Sequence, residues 1–481
     1  MKVLFIFKSD FIALPLSMMT LSSCIKAHGH ETAFIDMRFE IDYKKKIKAF
    51  KPDVLAYTLV SFDWKYFQKL NLEIKEYYPA FSVFGGPHTT ICTEFINEDG
   101  VDAICIGEGE FAFIELLNKI ENKQGISNIE NIWVKYEGKV IKNDLRPLIS
   151  DLDTIPFPDI ELIKAYHFYR EMGMYYIMTS RGCPFNCSYC INHYYRRIYK
   201  DKGIYLRRRT VDNVIEELIH AKKLYNIKLI VFNDDIFTLD KGWLTNFEKL
   251  YKDKIGLPFE AYTRVGQVDE EIVDLLKRMG CRTIILGIES GNENLRHQVL
   301  NRKISNKDII ETAALFKQKR IKINASNMLC LPDETLDNAF ETVIINAKAK
   351  IDYPLFFVFK PFPNIEMTRY AIEKKYFDGH YEDLQKGLSY GKSIIQLKDS
   401  KKISRLRYLS ITGSKYPFLL GLISILVKLP FDFIYKIIFM IQRVYIQMFI
   451  LKRPVFRALF YYYLKWPIIS ILRGFSKYKS V

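Results

Sequence analysis

The run RGCPFNCSYC at 181–190 sets Cys183, Cys187 and Cys190 in a C-x3-C-x2-C spacing. Three thiolates on so short a loop can converge on one metal centre. A closed zinc site takes four protein ligands, and His193, three residues past Cys190, is the nearest histidine that would complete it. That Cys3His arrangement is the competing structural reading. Three cysteines on a cubane cluster instead leave one iron without a protein ligand, and catalysis requires such an open coordination position.

The elements around this loop follow from hydrophobic periodicity. From about 170 to 395 apolar strands are predicted at 175–179, 229–233, 258–262, 283–288, 322–329 and 355–360. Helices near 211–225, 242–252, 269–279, 306–319 and 335–348 separate them. Six such βα units suit a partial or complete barrel of parallel strands, whose active sites lie at the carboxyl ends. The cysteine loop follows the first of them.

Residues 1–140 also alternate strands, at 3–7, 32–36, 54–58, 81–84 and 103–106, with amphipathic helices. The later strands run into loops of small or polar residues: SFD at 61–63, GGPHTT at 85–90 and GEGE at 107–110. Glycine at a strand's carboxyl end lets a bulky ligand approach the backbone. Pro147, Pro156 and Pro158 then bracket a stretch that continues neither a helix nor a central strand.

The cysteine spacing resembles the radical S-adenosylmethionine (SAM) superfamily. The resemblance implies a 4Fe-4S cluster on Cys183, Cys187 and Cys190, with the open iron chelated by SAM and an electron from the reduced cluster yielding a 5′-deoxyadenosyl radical. Tyr189 matches the motif's aromatic position beside the adenine. FNDDIF at 232–237 resembles the segment near the SAM amino group, with Asp234 and Asp235 as candidates, because a carboxylate accepts charge-assisted bonds from an ammonium. Arg264 matches a position often held by arginine, and GIESG at 287–291 offers Glu289 and Ser290 as further SAM residues. Helix capping or barrel salt bridges would account equally well for the acids. Two departures stand out: CLPDET at 330–335 replaces G-x-P-G-E-T, with Cys330 and Asp333 in place of glycines, and Pro363-Asn364-Ile365 replaces P-G-T.

GGPHTT, GEGE, a proline-rich linker and the three-cysteine loop, in this order, resemble the cobalamin-binding radical SAM subfamily over about 1–395. The implied cobalamin-binding residues are Ser61, Gly85, Gly86, Pro87, His88, Gly107, Glu108 and Gly109. The Asp-x-His-x-x-Gly segment that supplies a cobalt ligand in methionine-synthase-type domains is missing: KSDFIALPLSMM follows the first strand, and His28 reads as a helix terminus beside Gly29. A degenerate domain that merely shapes the substrate pocket is the alternative. Methylthiotransferases share the two-domain order, but Cys24, Cys92 and Cys105 do not occupy clear ligand positions, and these, with Cys281 and Cys330, read as small buried residues.

Charge is confined to one end. The chain carries a net +16, and from Lys401 onward fifteen lysines and arginines face one acid, Asp432. Phe, Ile, Leu and Tyr fill the gaps, in apolar runs at 416–427, 429–435, 437–442, 444–451 and 458–471 that charged residues keep short of a membrane span. A basic, aromatic tail points to an anionic membrane surface more than to nucleic acid. A helical cap on the barrel is the other reading. No disulfide framework is evident among eight cysteines, and Lys8 and Asp10 interrupt the only stretch resembling a signal peptide, so a reducing, cytoplasmic setting at the inner membrane face is expected.

The expected architecture is α/β: a Rossmann-like (flavodoxin-like) cobalamin-binding domain at 1–145, a linker at 146–169, a radical SAM (β/α)6 partial TIM barrel at 170–398 and a helical, apolar-basic region at 399–481. The expected activity is methylation of an unactivated carbon of a small-molecule or lipid substrate, with electrons from a donor such as flavodoxin or ferredoxin. Cyclisation, desaturation or rearrangement without methyl transfer, or a non-catalytic cobalamin or redox sensor, are the alternatives.

Overall fold

The computed structural model describes residues 1–8, 14–381, 384 and 393–446. The first sheet runs in the order Glu31–Asp36, Lys2–Phe7, Val54–Thr58, Phe81–Gly85, Ala103–Cys105, Ile132–Tyr136, Lys139–Ile141. Its first five strands are parallel, in the flavodoxin-like order. Helices cover both faces, which is why Lys2–Phe7 is nearly continuously apolar: Val3, Phe5 and Phe7 enter one core, Leu4 and Ile6 the other. The closing antiparallel hairpin was not predicted. Its turn places Glu137 and Gly138 at φ 48° and 74°, a mirror-image turn that the dipeptide Glu-Gly signals weakly.

The second sheet contains six parallel strands in chain order: Met174–Ile177, Leu229–Phe232, Phe259–Thr263, Cys281–Glu289, Lys322–Leu329 and Tyr353–Val358. The first and last do not pair, so the barrel is open along one side. Its helices start where side chains cap the free N–H groups: Asp240 accepts from Trp243 N at 2.8 Å, and Ser305 with Asp308 forms a capping box.

A buried ion pair pins the two layers together. Arg38 bonds Asp36 at 2.7 Å and the Tyr169 hydroxyl at 2.8 Å, and lies over the rings of Phe39 and Phe168. Tyr169 belongs to the helix His167–Met172 that leads into the first barrel strand.

The C-terminal region begins as a cap. Helix Ser400–Lys415 buries Ile403, Leu406, Leu409 and Ile411 against Leu336–Lys348 and the sixth strand. Beyond it, Leu420–Leu426 and Asp432–Tyr445 leave much of their apolar surface open. One helix, Asp432–Tyr445, joins the runs expected at 429–435 and 437–442 through the exposed Lys436, because a charged residue on the wet side of an amphipathic helix interrupts no hydrogen bond. No helix of the described residues is long and apolar enough to cross a membrane. The predicted run at 458–471, most of that at 444–451, and positions 9–13 of the loop after the first strand lie outside the described residues.

Candidate active site

The three-cysteine loop leaves the first barrel strand through Ser180–Arg181, which pairs with Arg207–Arg208. Gly182 follows at φ 96°, where a Cβ would collide with the Tyr205 carbonyl. Inside the loop Ser188 N donates to Leu300 O at 3.1 Å, and Met367 N donates to Ser188 O at 3.0 Å. The loop is thereby tied to segments following the fourth and sixth strands.

The three thiols influence one another electrostatically, and burial pushes the Cys190 thiol up to about 12 and raises Cys183 as well. Among the described residues no three His, Cys, Asp or Glu side chains converge closely enough to share one ion. In a cubane each cysteine would hold a different iron, and Cys183, Cys187 and Cys190 share one short loop. His193 is turned instead to Glu366, Nδ1 to Oε2 at 2.9 Å, which takes it away from a tetrahedral zinc site. The donor set therefore fits an iron-sulfur cluster with one open corner.

Tyr189, on that loop, donates to Glu289 Oε1 at 3.1 Å. Glu289 sits at φ 69°, at an irregularity in the fourth strand's pairing, and burial raises its pKa. Arg264 stacks over Phe185 at 4.0 Å and directs Nη1 at Cys187 Sγ, 3.3 Å away. Asp235 accepts from Asn192 Nδ2 at 2.8 Å and faces the cavity described below. The other two positions serve the scaffold. Asp234 is buried and accepts from Thr179 N, Thr179 Oγ1 and Ser180 Oγ, which fixes the end of the first strand. Ser290 is fully buried and accepts from Asn292 N at 3.3 Å within its own turn.

A cavity of about 820 Å³ lies between the two sheets. From the first sheet it is lined by Phe7, Gly85, Gly86, Gly107, Glu108 and Gly109; from the barrel, Ile191, Asn192 and Asp235 reach it beside the cysteine loop. It opens at the switch point of the first sheet, where such folds bind ligands. Gly86, at φ 97°, has no room for a Cβ, which would stand 2.7 Å from Thr58 Oγ1. A backbone so bare, facing a large apolar hollow, fits a flat macrocycle such as a corrin.

Ser61, Pro87 and His88 do not line this cavity. His88 is buried, its Nδ1 3.1 Å from Ser61 Oγ, and its ring stacks on Trp64. Burial lowers its pKa to about 4. Glu108 reaches the cavity but its carboxylate is committed: Arg181 and Arg207 donate to it at 2.8 and 3.0 Å, and Ile149 N at 2.9 Å.

Three contributors were not predicted. Tyr199, which caps the end of the helix after the cysteines, accepts from Glu108 N at 3.1 Å and packs against Gly107. Tyr205 donates to Asn192 at 2.7 Å. Arg302 reaches within 3.9 Å of Cys187 Sγ. None sits in a recognisable motif; the nearest signal was the arginine-rich stretch 207–209, of which Arg207 reaches Glu108 of the first sheet while Arg208 and Arg209 bond within the barrel. At the departures noted above, Cys330 and Asp333 keep φ of 60° and 62°, the left-handed conformation that glycine adopts freely. Glu334 Oε2 holds that turn by accepting from Cys330 N and Leu331 N.

An α/β sheet of flavodoxin order facing an open parallel barrel, with three cysteines at the seam, is the arrangement of an enzyme with two metal-bearing cofactors. The model of the radical SAM superfamily matches residues 177–343, and that of the B12 binding domain residues 3–117. An uncharacterized methyltransferase of Pyrococcus horikoshii is 31% identical over 370 residues, 74% of this chain and 78% of that protein. Cytidylyl-2-hydroxyethylphosphonate methyltransferase of Streptomyces wedmorensis is 27% identical, over 68% of each chain. The solved structure of the radical SAM methyltransferase TsrM from Kitasatospora setae shares the fold, with a TM-score of 0.65 at 18% identity, over 78% of this chain and 76% of that one. The chain belongs to the cobalamin-dependent radical SAM enzymes. Its cofactors are a 4Fe-4S cluster, SAM and cobalamin.

Proposed function

We propose that this enzyme methylates an unactivated carbon of a lipid or membrane-delivered substrate. When bound, the cofactors supply one-electron cleavage of SAM and a transferable methyl group. Cys183, Cys187 and Cys190 hold the cluster; Tyr189, Asp235, Arg264 and Glu289 face SAM, with Asp234 and Ser290 supporting them from behind. Gly85, Gly86, Gly107 and Gly109 form the cobalamin floor, and Ser61, Pro87, His88 and Glu108 shape it. Holding the reacting groups together and excluding water is the protein's share of the chemistry.

The observation that carries this reading is the shared cavity: the glycine loops and the helix that starts after Cys190 border the same hollow. Two cofactors on opposite walls can act on one carbon only if nothing lies between them. The lipid reading is supported by the open apolar faces from residue 416 onward, where twelve of the eighteen exposed large hydrophobic residues of the described chain lie.

Anaerobic reconstitution with cobalamin, a reduced electron donor and SAM labelled on its methyl group, followed by mass analysis of a lipid extract, tests the proposal. Label in a carbon-bound methyl of a lipid is expected. Release of 5′-deoxyadenosine with an unlabelled, altered product would replace methylation by cyclisation or rearrangement.

A further inference from the structure

Two guanidinium groups are aimed at one cluster cysteine. Arg264 and Arg302 are 8% and 5% exposed, and their Nη1 atoms stand 3.3 and 3.9 Å from Cys187 Sγ. Neither forms an ion pair with a carboxylate among the described residues. Arg302 Nη2 donates to Gly287 O at 2.5 Å, and its buried Nε has no hydrogen-bond partner. Phe185 covers the face of Arg264. Glu289 lies near Arg302, and it is a single carboxyl beside two guanidinium groups: burial raises its pKa while Arg302, the Tyr189 hydroxyl and Arg264 lower it.

Burying a cation costs several kcal/mol unless an anion answers it. Two such cations on one sulfur therefore require a strongly negative group there. A cluster held by three thiolates is such a group, and it becomes one unit more negative on accepting an electron. Donors to the sulfur and adjacent positive charge stabilise that reduced form, and hydrogen bonds to sulfur are among the factors that set the potential of such clusters.

We propose that Arg264 and Arg302 raise the reduction potential of the cluster by donating to Cys187, so that the external donor can reduce it. They act as positioning residues through Cys187, in addition to any contact of Arg264 with SAM. The proposal rests on the cluster assignment made above.

The test is an anaerobic redox titration of the full-length reconstituted protein without SAM, following the reduced cluster by electron paramagnetic resonance. Omitting SAM prevents altered SAM affinity from shifting the midpoint. Arg264→Met and Arg302→Met are each expected to move the midpoint to more negative potential, the former further because its guanidinium is nearer. Arg302→Lys, which keeps the charge, should recover part of the shift. If Arg302→Met fails to take up iron, Arg264→Met and Arg302→Lys still decide. A wild-type protein with a normal cluster whose midpoint ignores both arginines overturns the proposal alone. A wild-type protein with no cluster signal overturns the cluster assignment and this proposal with it.

Discussion

Arg181 Nη1 donates to Glu108 Oε1 at 2.8 Å, joining the residue two places before the first cluster cysteine to the GEGE loop of the other sheet. Its Nη2 meets Glu110 at 2.5 Å, and Arg207 reinforces Glu108 from the strand alongside. Arg181→Met leaves Glu110 buried without its cation, a change expected to cost about 3 kcal/mol. Calorimetry should show a lower Tm, and iron analysis of the reconstituted protein a lower cluster content.

The same junction should respond to acid. Burial alone would raise the pKa of Glu108, but the bonds and charges of Arg207 and Arg181 outweigh it and hold the carboxyl below its ordinary 4.5. A carboxyl with a depressed folded-state pKa contributes its stability above the unfolded value and loses it as pH falls through the folded one. Denaturation followed from pH 7 downward should show this loss beginning below about pH 4.5. Glu108→Gln should be less stable at neutral pH and lack that part of the dependence.

Replacing any one cluster cysteine should abolish SAM cleavage. Cys183→Ala, Cys187→Ala and Cys190→Ala each leave two thiolates, too few to hold a cubane with a single open iron. The expected readout is the loss of 5′-deoxyadenosine release together with a depleted iron content. Unchanged cleavage in any of them would refute the assignment.

The two residues of the GGPH segment should behave oppositely. Gly86→Ala adds a Cβ where Thr58 and Leu59 already stand, at a left-handed φ, and should cost about 2–4 kcal/mol and obstruct cobalamin uptake. His88→Phe keeps the stack on Trp64, loses one hydrogen bond to Ser61, and should bind cobalamin nearly as wild type. Absorbance of the desalted, cobalamin-loaded proteins distinguishes them.

The tail carries the membrane prediction. Deletion from residue 401 would strip buried side chains off the barrel, so surface substitutions are the proper probe. Phe418→Asp combined with Phe433→Asp, at sites 82% and 74% exposed, should weaken flotation with phosphatidylglycerol vesicles while leaving cluster absorbance intact. Undiminished flotation would remove the membrane role of this face.

Periodicity and the cysteine spacing were sufficient to lay out the parallel strands of both sheets. The third strand of the first sheet and the fifth of the barrel match their predicted bounds, 54–58 and 322–329, because buried parallel strands are nearly continuous apolar runs framed by turn residues. The three-cysteine loop and the glycine loops were legible for a related reason: their chemistry depends on residue type and local spacing. The Glu137-Gly138 hairpin was missed because its signal is one dipeptide; the region from 399 was read as helical, but the bounds of the buried helix Ser400–Lys415 were not, because an arginine and two serines interrupt its apolar face.

What the amino-acid order determined by itself was the succession of elements and the local sets of ligands. Only the tertiary structure decided which polar groups face a ligand and which face one another. Glu108 and Asp234 look like ligands in sequence, yet each is enclosed by hydrogen-bond donors brought from residues tens of positions away. Arg302, unmarked by any motif, comes to lie beside Cys187 across 115 residues of chain. The reason is physical: a buried charge must find its partner in space, and the chain's path through the folded core, more than its local spelling, sets where that partner is.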